Sequence, residues 1–291
     1  MLKQAARVAE DRKQSPELRA DAVGLLALSP ESQPTAFYQK LIDPAEPEAL
    51  QTASVRALGK LKGLDGSKFL LARWRSLTPA VRNEAGSLFV TSAERLPLML
   101  DAIDKGEIQS WSLSSFQRTR MQMNADPKLR ERARALMAAK AGDREEVVKK
   151  YQVALTTNGD SSRGKVVFEK VCAKCHKIDG KGADVGPDLA TIRNRTASSL
   201  LGDILIPSRS IAQMYESYVV ETASRGTLDG VIGQQTSTTI TLVHEEGKQD
   251  VVPRADIKEM RVSNLSAMPE DLDKEVSTSQ MADLLAYLKK P

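Results

Sequence analysis

At 291 residues the chain is long enough for two domains, and its 41% hydrophobic residues can build real cores while only 4% are aromatic, a balance that suits Ala/Leu-rich helices. A formal charge of +4 is too mild to argue for nucleic acid as a partner. No apolar run approaches the ~18 residues of a membrane span, and Met1-Leu2-Lys3-Gln4-Ala5 is not followed by the apolar core of a secretion signal.

From the start to about residue 140 the pattern is short amphipathic helices broken at Pro16, Pro30, Pro34, Pro44, Pro47, Pro79, Pro97 and Pro127. Three segments look alike, beginning at Leu18, Leu50 and Val81, at intervals of 32 and 31. Each sets a small residue four positions on (Ala22, Ser54, Ala85) and a larger apolar one four beyond that (Leu26, Leu58, Phe89), one face of a helix at 3.6 periodicity. A repeat of that length predicts stacked helical hairpins, none able to bury its face alone. Leu129-Arg130-Glu131-Arg132-Ala133 has the same character and is read as closing the stack. The segments resemble HEAT repeats, so residues 1–142 are predicted to form a HEAT-like array, either a concave surface for a partner or a plain scaffold. Trp74 and Trp111 are read as core or inter-repeat packing.

Asp143 to Leu155 predicts one further helix, and Thr156-Thr157-Asn158-Gly159 a break, so residues 143–159 are read as linker helix and hinge. Asp160 is a suitable N-cap for a helix running from Ser161 to about Lys174, with Gly164, Phe168 and Cys172 on one face. The last helix, Ser279 to Leu288, carries Leu284, Tyr287 and Leu288 on one side. A glycine lets a large ring approach closely, so Gly164 and Phe168 are predicted to meet Leu284 and Tyr287 where the two helices cross.

The chain's two cysteines both lie in Val171-Cys172-Ala173-Lys174-Cys175-His176, and its second histidine is His244. Cys-x-x-Cys-His is the attachment pattern of c-type haem, in which two thiols a turn apart bond the porphyrin vinyl groups and the adjacent imidazole binds iron. Other readings are weaker. A zinc site of Cys172, Cys175, His176 and His244 asks adjacent side chains to converge on one small ion. A thioredoxin-type pair wants a preceding strand, an iron–sulfur cluster wants four ligands, and a disulfide here would close too small a loop to stabilise much.

With these features the segment resembles a class I cytochrome c, a family whose first and last helices pack through glycine and aromatic residues at these offsets. The family also carries Gly-Pro-x-Leu after the histidine, here Gly186-Pro187-Asp188-Leu189. The resemblance implies that the Pro187 carbonyl holds the ring nitrogen of His176 that does not bind iron, and that a methionine before the last helix is the distal ligand. Met268, in Leu265-Ser266-Ala267-Met268-Pro269, has the family's spacing, whereas Met214, Met260 and Met281 fit it less well and core filling is the other reading of each. His244, in an expected strand running into a turn, is read as exposed. Arg193 and Arg195 are candidates for the haem propionates or a solvated surface pair.

The stretch from Leu189 to Met268 is longer than a compact class I cytochrome needs. Ser199 to Leu205 predicts a helix, and from Tyr218 the pattern changes to period two, giving strands at 218–222, 230–233, 239–243, 251–253 and 257–262. About 216–263 is therefore an inserted small antiparallel sheet or barrel, which either docks a redox partner or covers one haem edge. The whole of 160–291 resembles the haem-binding domain of planctomycetes and verrucomicrobia, which follows helical repeats in larger exported proteins. The expectation is a mainly α chain that transfers electrons through one covalent haem c, with Cys172, Cys175, His176, Gly186, Pro187, Leu189, Arg193, Arg195 and Met268 around it. No acid–base or nucleophile arrangement stands out, so it is read as a carrier serving redox partner proteins, not as an enzyme. Its expected place is periplasmic or otherwise extracytoplasmic, as a piece of a longer exported protein. The competing readings are a haem enzyme or sensor with an open distal site, and an interaction scaffold in which haem is structural.

Overall fold

The structure is a computed structural model that describes residues 1–29, 33–137, 144–209 and 211–290. The first half is helical: α1 (Leu2–Glu10), α2 (Pro16–Leu26), α3 (Thr35–Gln39), α4 (Glu48–Lys60), α5 (Asp65–Ala72), α6 (Pro79–Val90), α7 (Leu96–Asp104), α8 (Ser115–Gln122) and α9 (Pro127–Met137). The prolines sit where a helix tolerates them: Pro16 and Pro79 open α2 and α6, while Pro34 and Pro47 cap α3 and α4. Pro30 lies outside the described residues.

Helices α2, α4, α6 and α8 pack in succession as one layer, and α3, α5, α7 and α9 as a second. The three look-alike segments fall on α2, α4 and α6, and all six of their inward residues, Ala22, Leu26, Ser54, Leu58, Ala85 and Phe89, are buried. The next member of that layer is α8, whereas Leu129–Ala133 belongs to α9 in the other layer. The substitution of a polar contact for an apolar one hides α8 from a hydrophobic pattern. The buried Gln117 amide of α8 donates to the Asn83 carbonyl at 2.8 Å, and a Cβ at Gly86 would stand 2.7 Å from it.

The second half builds another core from α10 (Glu145–Tyr151), α11 (Ser161–Val167), α12 (Ala197–Leu205) and α13 (Thr278–Leu288). Tyr151, Phe168, Leu189, Leu200, Leu201, Met281 and Leu284 are buried together there. Asp143, where the linker helix was expected to begin, lies outside the described residues. Helix α10 packs into this core, and the Tyr151 hydroxyl donates to the Val276 carbonyl at 2.6 Å. Asp160 caps α11 by accepting from the Ser162 and Arg163 amides at 2.8 and 2.9 Å.

Where α11 and α13 cross, the two backbones touch: a Cβ on Gly164 would lie 1.9 Å from the Asp283 carbonyl oxygen and 2.8 Å from the Tyr287 Cβ. The Phe168 and Tyr287 rings meet with centroids 5.6 Å apart. The crossing therefore forms through Gly164, Phe168 and Tyr287 as their spacing predicts. The helix is shorter than expected, because the α geometry ends at Val167 and Phe168–Cys172 is a π turn, with the Ala173 amide bonded to the Phe168 carbonyl at 2.9 Å. Such a one-turn widening re-aims the residues that follow it.

The inserted strands are β1 (Ser217–Thr222), β2 (Gly226–Gln235), β3 (Thr239–Val243), β4 (Gln249–Pro253) and β5 (Ile257–Val262), antiparallel in the order β4-β3-β2-β1-β5. The edge strands β4 and β5 are joined by the three-residue turn Arg254–Asp256, so the sheet curls until its edges approach. Its core, Tyr218, Ile232, Ile240, Leu242, Val252 and Met260, also contains Trp111 from the array. Trp111 thus packs between array and insert, not between repeats, while Trp74 is core and donates to the Ser112 hydroxyl at 3.0 Å.

The same junction holds buried charges. Arg82 of α6, 1% exposed at its side chain, pairs with Glu216 at 3.0 Å and donates to the Leu77 carbonyl and to the Tyr218 hydroxyl. Burial pushes the Tyr218 hydroxyl's pKa upward. Arg254 donates to the Pro44 carbonyl at 2.8 Å, and Arg75 to the Val262 carbonyl at 2.9 Å.

Candidate functional site

After the π turn the chain folds back on itself around the cysteines. The His176 amide bonds to the Cys172 carbonyl at 2.8 Å, and the amides of Val185 and Gly186 both reach the Cys175 carbonyl, at 3.0 and 2.8 Å. This fold-back brings Gly186-Pro187 beside the imidazole. The His176 Nδ1 lies 2.8 Å from the Pro187 carbonyl oxygen, which as an acceptor fixes the proton on Nδ1 and leaves Nε2 with its lone pair. Burial lowers the histidine's pKa, partly opposed by the Pro187 bond, and so favours the neutral, ligating form.

Gly186 is flush against the ring. A Cβ there would stand 2.5 Å from the His176 Cε1, so no other residue lets the loop come this close. Gly182, with φ +99°, similarly leaves no room, its Cβ falling 2.1 Å from the His176 carbonyl oxygen. Leu189 is buried beneath and its amide bonds to the Lys177 carbonyl at 2.8 Å.

Cys172 and Cys175 are free thiols, both half-buried. Burial, with a smaller contribution from Cys175, pushes the Cys172 thiol up to about 12, and burial followed by Glu245 raises that of Cys175. Thiols held protonated are poor nucleophiles, which argues against a thioredoxin-type pair. Nor do the residues make a zinc site: His244 Nε2 is engaged with Asp250 at 2.9 Å, and among the described residues no three His, Cys, Asp or Glu side chains are grouped to hold an ion. His244 is half-buried by that contact, not exposed.

Haem c fits this donor set. Two free thiols a turn apart adjoin an imidazole whose Nδ1 is committed to Pro187, and Val171, Cys172 and Ala173 of the same segment are partly buried against the apolar core of this half.

The outlying candidates divide. Met260 and Met281 are buried core residues, 1% and 0% exposed, whereas Met268 is half-buried on a loop. That loop is tied down by the Ser266 amide to the Ser208 hydroxyl at 3.0 Å and by the Met268 amide to the Ser266 hydroxyl at 3.1 Å. Met214 is exposed and adopts φ 72° in a turn, so it fills no core. Arg193 pairs with Asp179 at 2.6 Å and keeps a buried Nε with no partner, while Arg195 pairs with Asp203 at 2.5 Å.

Residues 161–227 match the Cytochrome c family model, so the chain contains a cytochrome c domain. The match begins at the first residue of α11, runs through β1 and stops at the start of β2, inside the insert; α13, which completes the helix crossing, lies beyond it. Over 47 residues the chain is 45% identical to the "Cytochrome c-type cyt cy" of Rhodobacter capsulatus, a stretch covering 16% of this chain and 23% of that protein. The chain thus spans under a quarter of that relative's length. Among the described residues no helix is long and apolar enough to cross a membrane.

Proposed function

We propose that this chain carries one covalent haem c and transfers single electrons between redox partner proteins. The observation that carries the reading is the His176–Pro187 bond of 2.8 Å, which orients an imidazole directly after two free thiols. Bound haem supplies a reversible one-electron couple. Cys172 and Cys175 anchor it through thioethers, and His176 is the proximal ligand. Pro187 aims the imidazole and raises its basicity, Gly186 makes the room, and Leu189 closes the wall behind.

Met268 is the distal ligand in this reading, supported by its half-burial on a tethered loop and by the full burial of Met260 and Met281 in cores. Arg193 and Arg195 are the propionate donors in this reading, since a guanidinium matches a carboxylate in geometry; each is held by an acidic neighbour, Asp179 and Asp203. The two-layer packing of α2 to α9 supports a HEAT-like scaffold presenting the haem domain. Cytochrome c domains usually work outside the cytoplasm, which supports reading the chain as a periplasmic part of a larger exported oxidoreductase.

The test is to mature the protein in a host competent for haem attachment and extract the denatured material with acidified acetone. Colour staying with the polypeptide is expected, and colour leaving with the solvent overturns the assignment. Carbon monoxide binding to the reduced protein without displacing a ligand would favour an enzyme or sensor with an open distal site.

A further inference from the structure

The insert touches the haem-attachment segment through a turn and through an apolar patch beside it. The turn Glu245–Gly247 between β3 and β4 lies on it, and the Glu246 amide donates to the Lys174 carbonyl at 2.7 Å, between the two cysteines. Glu246 and Gly247 hold φ of 61° and 71°, a left-handed turn that aims this amide outward from the sheet. Beside it, Val231 of β2 and Val243 of β3 are buried against Val185, with Cys175, Ala183 and Tyr215 packed around them. The sheet's opposite attachment is the array, through the buried Arg82–Glu216 pair and Arg254.

We propose that the inserted sheet is a fixed cover over the Cys175 side of the haem site, and that the 245–247 turn is the positioning element that latches it. The proposal rests on the haem assignment above. A cover anchored at both ends closes this side to water and to protein partners, so electrons enter and leave elsewhere on the domain. Excluding water beside the haem disfavours the oxidised form, which bears one more positive charge, so the latch raises the reduction potential.

The test uses the full chain with haem attached. Glu246→Pro deletes the bonding amide and forbids the positive φ, while Glu246→Gly keeps both and removes only the side chain. Two quantities are read: the midpoint potential, and hydrogen exchange at Ala183, Val185 and Gly186, whose amides bond back to the Ala173 and Cys175 carbonyls. Glu246→Pro is expected to exchange roughly tenfold faster at these amides, the equivalent of about one lost hydrogen bond, and to shift the potential downward. Glu246→Gly is expected to match the parent on both. A folded Glu246→Pro chain with parental exchange and potential overturns the proposal. If that variant fails to fold, Val231→Ala leaves the backbone intact and is expected to shift both in the same direction by less, and no shift there overturns it equally. Colour leaving with acidified acetone refutes the attachment, whereas unchanged exchange at the three amides refutes the cover, so the two failures are told apart.

Discussion

A single atom decides what several positions here can be. At Gly186 an added methyl would stand 2.5 Å from the His176 ring, which must then swing away from the Pro187 carbonyl. Gly186→Ala is therefore expected to cost the haem domain its imidazole orientation more than its fold: thermal unfolding of the array barely changes, while the absorption bands of the attached haem broaden and shift. Gly164→Ala is different in kind, because the atom it would strike, 1.9 Å away, is a backbone carbonyl of α13 that cannot rotate aside. The helices must separate, and a loss of about 3 kcal/mol or more is expected in urea unfolding of the haem domain. Met268→Ala tests the distal side. Loss of the weak long-wavelength band of the oxidised protein, with carbon monoxide then binding the reduced form, is the expected outcome. A spectrum identical to the parent would return the ligand role to another residue.

At the scale of elements, the crossing of α11 and α13 is fastened by charge as well as by shape. The Asp283 carboxylate, 4% exposed as a residue, accepts two bonds from the Arg163 guanidinium at 2.8 Å and one from the Asp160 amide at 2.7 Å. Arg163 first and the Asp160 amide second hold its pKa below the ordinary carboxylate value. Because the folded value is the lower one, the contribution is fully present above the unfolded carboxylate range and is lost as pH falls through the depressed folded value, below about pH 4. Asp283→Asn is expected to weaken the domain by about 1–3 kcal/mol at neutral pH and to flatten that acid limb, read by urea midpoints across the range. Much of this element was legible from residues alone: the glycine-aromatic spacing, the Asp160 cap and the Gly-Pro loop are local signals with one physical meaning each. Three things were not. The π turn at Phe168–Cys172 has no composition of its own, since only the closure of the loop onto Cys175 demands it. Helix α8 presents Gln117 where its layer-mates present small or apolar residues. Trp111 is an apolar residue in an array, and no periodicity tells which of two neighbours it fills.

The whole molecule is held together by a junction that hydrophobic patterns cannot display, because its central groups are charged. Arg82 lies on α6 and Glu216 just before β1, 134 positions later, and both side chains are within 2% of full burial. At this junction the array buries the cation and the insert the anion, so each needs the other to satisfy its charge. The insert is thus shared between the array on one side and the Cys175 segment on the other, and a partner gripping the array would hold the haem domain at a fixed distance and angle. Removing one member leaves a buried charge without its counter-ion. Arg82→Met is accordingly expected to cost about 3–5 kcal/mol, and pairing it with Glu216→Leu to restore a large part of that loss, since no charge then remains unpaired. The decisive reading is the shape of the urea transition followed separately by the tryptophans, Trp74 in the array core and Trp111 in the insert core, and by haem absorbance. In the parent the signals are expected to coincide, because array, insert and haem segment are bolted in series. In Arg82→Met the haem signal should separate from that of the array while the double variant brings them back together. Signals that separate in the parent would mean that the junction carries no cooperativity and that the insert belongs energetically to the haem domain alone.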